Sequence, residues 1–193
     1  DKTKLQRLRL SSIDCVEVDE NFNEVLKDQR VMPHLHLSIQ SGDDMILKRM
    51  KRRHNSKDVF QFVDRCKKIR KDISFGADII AGFPTETDTM FENTYKLLRD
   101  NEISHLHIFP FSPKNNTPAS RMPQVSKLII KKRAKILRDL GELILKKVKS
   151  KLSFPREILI EELNSGLAIG YDQNYIKHKV PLVGVPVGEV IRV

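Results

Sequence analysis

Four β-rich apolar runs, at residues 8–16, 34–40, 75–82 and 106–111, are each followed by a helical or polar stretch, and this alternation most limits the fold. The stretches at 20–29, 44–50, 58–70 and 87–99 carry apolar residues at three- and four-residue spacing. Parallel partners can only be reached through long right-handed connections, so strand–helix alternation implies a parallel sheet. Four such units do not close an eight-stranded barrel, and they predict an open or partial α/β sheet. The helix starts are marked by Thr85 with Asp88 as a capping-box pattern, and by Asp43–Asp44 at a first turn. Pro110, Pro113 and Pro118 break the region after the fourth run into a loop.

The last third of the chain changes character. Residues 125–152 read as one long helix, with Leu128, Ile129, Ile136, Leu137, Leu140, Leu143, Ile144 and Val148 as its apolar stripe. Lys131, Lys132, Lys135 and Lys146 fall off that stripe. From Arg156 onward come short β-runs at 158–163, 167–171, 175–180 and 187–193, punctuated by Asn164-Ser165-Gly166 and Asp172-Gln173-Asn174. This predicts a small antiparallel β module, and a division into residues 1–152 and 153–193.

Charge is unevenly spread. The net charge of +10 lies wholly in residues 121–156, where 12 Lys and Arg face only Asp139 and Glu142; the remainder balances at 23 basic and 23 acidic residues. A stripe of this kind fits a phosphate-backbone partner, and the bland alternative is a solvated helix face. At 39% hydrophobic and 31% charged residues the chain reads as soluble and globular rather than disordered. No apolar stretch approaches a membrane span and no leader pattern opens the chain, so no membrane partner is expected. Two cysteines 51 positions apart, Cys15 and Cys66, fit a reducing cytoplasm.

Side-chain alternation separates the strand faces. Leu35, Leu37 and Ile39 oppose His34, His36, Ser38 and Gln40; Ala77, Ile79 and Ala81 oppose Gly76, Asp78, Ile80 and Gly82; Leu106 and Ile108 oppose His105, His107 and Phe109. A strand covered on both faces would be apolar throughout, so the polar face suggests a cavity or barrel lumen. His34-x-His36 and His105-x-His107, with Asp78, invite a metal-dependent hydrolase reading. Position argues against it, because active sites of parallel α/β folds form at the carboxyl ends of strands. His34 lies roughly 26 Å from Gly42 at about 3.3 Å per residue, so both pairs are expected as polar plugs at the barrel bottom, with no metal ligands assigned.

In combination, Arg-Leu-Ser-Ser-Ile at 9–13, His-Leu-His-Leu-Ser-Ile-Gln-Ser-Gly at 34–42 with Met50 and Arg52, Asp-Ile-Ile-Ala-Gly-Phe-Pro-Thr-Glu at 78–86, and residues 109–119 resemble the third to sixth strands of the radical S-adenosylmethionine tRNA methylthiotransferase barrel. The carboxyl module, with Glu161-Glu162, Gly166, Gly170 and Asn174-Tyr175, is similar to the family's RNA-binding β-barrel, of TRAM or OB-like type. HLHLSIQSG and RLSSID look closest to the branch modifying N6-threonylcarbamoyladenosine beside the anticodon. Departures from the family pattern are Thr85 for Gly, Phe111 for Tyr, Lys114 for Arg, and Asn115–Asn116 for a Pro-Gly-like step. Lys cannot reproduce a bidentate Arg contact.

The resemblance implies a fold of half a radical SAM (β/α) barrel plus a small β-barrel that stops a strand early at Val193. It implies S-adenosylmethionine and 4Fe-4S clusters as cofactors of the intact enzyme, while the Cys-x-x-x-Cys-x-x-Cys ligands have no counterpart among Cys15 and Cys66. Gln40 and Ser41 would approach the ribose, Asp78 through Gly82 the adenine, and Arg52 the methionine carboxylate or a phosphate; Arg52 could equally be one exposed base of 48–53. The tRNA anticodon stem-loop would meet Lys131, Lys132, Lys135, Lys146, Lys147 and Tyr175. No catalytic residue is assigned. The expectation is that the chain alone does not catalyse, that a separately encoded amino-terminal half could complete it, and that a non-catalytic RNA-binding module or a metal hydrolase are the alternatives.

Overall fold

A computed structural model describes residues 3–153, 155–181 and 184–193. Strands β1 (Leu8–Ile13), β2 (Val31–Gln40), β3 (Ser74–Ala81) and β4 (Ile103–Pro110) form a four-stranded parallel sheet in the order β1-β2-β3-β4. Between them run α1 (Phe22–Lys27), α2 (Asp44–Arg49) with α3 (Ser56–Ile69), and α4 (Asp88–Asp100). Each sequence-predicted strand and helix of the alternation is present, so the order of strands follows the order of the chain. β2 begins earlier than expected, at Val31, and carries Pro33 within it.

The odd-numbered residues of β2 and β3 enter the core. Leu35, Leu37, Ile39, Phe75, Ala77 and Ile79 are almost fully buried against Val59, Phe62, Val63, Cys66 and Leu98 of α3 and α4. At about 25 cal/mol per Å² of apolar surface removed from water, this single helix-covered face is the main stabilising layer. The helix starts are capped as N-cap chemistry requires. Asp43 accepts from the N–H groups of Met45 and Ile46, and Asn55 and Asp58 form a reciprocal capping box. For α4 the cap is Thr87, not Thr85. The Thr87 hydroxyl accepts from Met90 N, whereas Thr85 sits at φ +67° with its own hydroxyl turned to the Pro84 carbonyl and to Arg49.

The long helix α5 (Lys127–Lys151) starts at a Ser126 cap and lies across β4. Its buried line is Ile130, Ala134, Leu137, Leu140, Gly141 and Ile144, while Leu128, Ile129 and Leu143 are exposed. The expected stripe was therefore rotated. Counting large apolar residues overlooks Ala134 and Gly141, whose small size sets the line of closest approach; a Cβ at Gly141 would stand 3.2 Å from Leu106. Strands β5 (Glu157–Asn164), β6 (Leu167–Tyr171), β7 (Lys177–Pro181) and β8 (Val190–Arg192) form a separate curled antiparallel sheet, ordered β7-β6-β5-β8. Its small core is Ile158, Ile160 and Ala168.

Candidate functional site

The face of the parallel sheet opposite the helices is polar and partly open. It carries Arg9 and Ser11 of β1, His34, His36, Ser38 and Gln40 of β2, Gly76, Asp78 and Ile80 of β3, and His105, His107 and Phe109 of β4. Residues of opposite parity fill the core, so this is the only face on which these strands can present polar groups.

At its lower end the β module is seated. Tyr175 stacks on Tyr171 with ring centroids 4.7 Å apart and on His34 at 5.3 Å, and the Arg9 guanidinium lies 5.1 Å from its ring centre. His34 Nδ1 is 2.9 Å from Ser74 Oγ, which in turn donates to the Asn174 carbonyl, and His105 Nε2–H donates to the Tyr175 carbonyl. Asn174 donates to the Pro33 and Asp72 carbonyls, and Arg9 to those of Asp172 and Gln173. Arg156, Asp172 and His178 hold this loop from behind. Burial pushes His34 down to about 2 and His105 down to about 4, so both are neutral here. These two histidines are plugs, as expected. Tyr175, expected at RNA, lends its ring to this seat while remaining 37% exposed, and nothing in its sequence context beyond the loop residues around it signals the contact.

His36 and His107 behave differently. Both turn to Asp78, whose Oδ1 accepts from His36 Nε2–H at 2.9 Å and from His107 Nδ1–H at 3.2 Å. Of the two His pairs expected as bottom plugs, only the first member of each is one. Asp78 sits mid-strand opposite His107 and is engaged with these two rings.

At the carboxyl ends of the strands the expected cofactor residues separate. Gln40 adopts φ +67° on the open face, half-buried. Arg52 donates to Asp14 Oδ2 at 3.0 Å and to the Ser38 carbonyl at 2.9 Å, so it is a held guanidinium beside β1 and β2, not a free surface base. Ser41 is 1% exposed and faces α4, accepting from the Asp43 N–H and sharing a hydrogen bond with Thr94 Oγ1. Parity explains it: residue 41 follows the core positions 35, 37 and 39. Gly82, at φ +76°, is pressed against Ile130, where a Cβ would overlap Ile130 Cγ1, and its N–H donates to Glu86 Oε2 at 3.0 Å. The close backbone approach expected toward a ligand is made instead to α5.

That loop is pinned by groups sequence reasoning missed. Arg133 donates to Glu86 Oε2 at 2.7 Å, to the Glu86 carbonyl at 3.0 Å and to Asp88 at 2.6 Å. Burial pushes the Glu86 carboxyl up, against the pull of Arg133 and the Gly82 N–H. On the open side, an apolar cleft of about 390 Å³ is lined by Ile80, Phe109, Phe111 and Ala119; a second of about 430 Å³ lies between Pro110–Pro113 and the first turns of α5, with Lys131 and Arg138 in its wall.

The basic segment 121–156 is less free than its charge count. Arg133 and Arg156 are buried in ion pairs, Lys135 pairs with Asp139, and Lys147 and Lys151 both pair with Glu102. All five candidate lysines are exposed, and among the described residues Lys131, Lys132 and Lys146 face no carboxylate. Cys15 and Cys66 are unpaired thiols pushed up to about 12 by burial, so neither is a ready metal thiolate, and the two do not make the donor set of a three-cysteine cluster.

The parallel sheet is thus covered by helices on one face and presents an open polar face on the other. Residues 7–98 match the Radical SAM superfamily, so this part of the chain is a radical SAM domain. The particular kinship is with tRNA-modifying enzymes. The chain is 50% identical over 183 residues to threonylcarbamoyladenosine tRNA methylthiotransferase MtaB of Rickettsia prowazekii, covering 92% of this chain and 42% of that protein. It is 40% identical over 190 residues to the protein of the same name in Thermotoga maritima, covering 95% of this chain and 43% of that one. The chain therefore spans less than half the length of these curated relatives. Among solved structures, coproporphyrinogen III oxidase of Escherichia coli, described as a radical SAM enzyme, shares the fold with a TM-score of 0.56 at 17% identity, over 70% of this chain and 32% of that one. No helix among the described residues is long and apolar enough to cross a membrane.

Proposed function

We propose that this chain is the carboxyl-terminal part of a radical SAM tRNA methylthiotransferase that converts N6-threonylcarbamoyladenosine beside the anticodon to its 2-methylthio form. The observation that carries the reading is the 50% identity to a named relative across 92% of this chain, parallel sheet and β module together. In this reading residues 1–152 supply the second half of the barrel and residues 153–193 a TRAM-like RNA-binding module, working in the cytoplasm.

The parts divide the work by chemistry. Among the described residues, Gln40 is the member of the expected cofactor set left without a side-chain partner on the open face, Arg52 is held beside β1 and β2, Asp78 is engaged with His36 and His107, and the apolar cleft at Ile80 and Phe109 offers a surface for an adenine. Ser41 and Gly82 act from behind, as supports. S-Adenosylmethionine bound to a 4Fe-4S cluster supplies the radical chemistry in the intact enzyme. This chain holds two thiols and no cluster ligand set, so alone it binds RNA without catalysis. Lys131, Lys132 and Lys146 on α5 meet the phosphates, with the Lys135 and Lys147 ion pairs weak enough at the surface to yield.

The test is made in two arms. A gel shift with an anticodon stem-loop carrying threonylcarbamoyladenosine should show binding that weakens steeply with salt. The same chain given iron, sulfide, reductant, S-adenosylmethionine and tRNA should release no 5′-deoxyadenosine. Co-expression with an amino-terminal half bearing the three cysteines should restore methylthiolation, read by mass spectrometry of digested tRNA. Absence of any stem-loop binding, together with failure of that restoration, would refute the reading.

A further inference from the structure

We propose that His36, Asp78 and His107 form a site for one divalent first-row transition metal ion on the open face of the parallel sheet. The three residues stand on three neighbouring strands, and one donor atom from each lies within 4.8 Å of the others. Asp78 Oδ1 is the common point, 2.9 Å from His36 Nε2 and 3.2 Å from His107 Nδ1, and the two imidazole rings stand 4.5 Å apart. Donors bound at about 2.0–2.2 Å around one ion are themselves about 3–4 Å apart, so small ring rotations suffice to admit the ion.

The surroundings suit an ion rather than a hydrogen-bonded plug. Gly76 stands where a side chain would crowd the rings: a Cβ there would lie 2.6 Å from His36 Nδ1 and 2.8 Å from the His105 carbonyl. The His107 side chain is 59% exposed and that of Asp78 26%, leaving coordination positions open to water or substrate. Two imidazoles and one carboxylate favour Zn²⁺, Co²⁺ or Fe²⁺ over Mg²⁺ or Ca²⁺, which prefer all-oxygen sets.

The contrast within the same chain is informative. Asp14, Cys15 and His54 also cluster, but there Arg52 already occupies Asp14, His54 Nε2 already meets the Ile39 carbonyl, and burial pushes the Cys15 thiol up to about 12. His34 and His105, one step below the proposed site, are taken by Ser74 and Tyr175. Among the described residues, only His36, Asp78 and His107 combine convergent donors with access.

The site is tested on the whole chain at neutral pH by titrating Co²⁺ into it and following the visible d–d bands, with Zn²⁺ measured by calorimetry. One ion per chain at micromolar affinity is expected. H107A removes a largely exposed ring, so the fold should survive by circular dichroism while affinity falls by about 10-fold or more; D78N should do the same, and H178Q, a histidine elsewhere, should not. Failure to saturate below millimolar metal, or H107A and D78N binding like the parent, would overturn the assignment. Neither outcome depends on RNA or S-adenosylmethionine, so the site can fail while the function above stands.

Discussion

Lowering the pH should weaken this fold through one buried ring. His34 is 5% exposed, stacked on Tyr175 and bonded to Ser74, and burial holds it neutral down to about 2. In the unfolded chain the same imidazole titrates near 6.5. Its folded value is depressed, so the stability tied to the neutral ring is fully present above 6.5 and is lost as pH falls below it, continuing toward the folded value. At about pH 5 the unfolded chain has gained roughly 1.5 units of protonation free energy that the folded chain has not, or about 2 kcal/mol at 1.36 kcal/mol per unit. That is a large part of the stability of an ordinary domain. His105, at about 4, adds in the same direction between 6.5 and 4. The measurement is urea unfolding by circular dichroism at a series of pH values, for the parent and for H34N, whose amide can still donate toward Ser74 but cannot charge. H34N should be less stable at neutral pH yet lose less on acidification. Equal pH slopes in the two proteins would show that the ring is not buried and neutral as described.

Two further outcomes follow from contacts already given. Replacing Lys131, Lys132 and Lys146 together by Ser should lower the slope of log affinity against log salt by about 2–3, at 0.7–0.9 per lost phosphate contact, with little effect on urea stability; an unchanged slope in gel shifts would remove α5 from the RNA face. R133M should cost about 3–5 kcal/mol in urea unfolding because it strands Glu86 in the interior, and adding E86Q should recover a substantial part. If the double variant is no better than R133M, the ion pair is not what holds the Gly82–Glu86 loop.

What the sequence could convey, and what it could not, divides along one physical line. Strand and helix types follow from local periodicity, and every run of the α/β alternation folds as its own spacing requires. Face assignment follows from parity, which correctly collected His34, His36, Asp78, His105 and His107 on one side. Parity carried one residue further sends Ser41 to the helix layer, where it lies with Thr94, and not to the open face that the family position implies.

The cap at Thr87 and the placing of Ser41 are local matters, whereas the other differences involve partners distant in the chain. A glycine at position 82 suggests room for a ligand, but the room is filled by Ile130, 48 positions on. The line along α5 was set by Ala134 and Gly141, residues too small to register in a search for large apolar groups, because β4 needs close approach there. Tyr175 and Asn174 reach back to His34 and Pro33, a contact that no local pattern encodes. The His36–Asp78–His107 cluster combines both cases. Alternation put its members on one face, yet only the in-line pairing of β3 with β4 decides that Asp78 stands beside His107 rather than one step away. A one-residue slip in that register would turn the carboxylate into the core, so the same pairing that stabilises the sheet also creates its most concentrated set of donors.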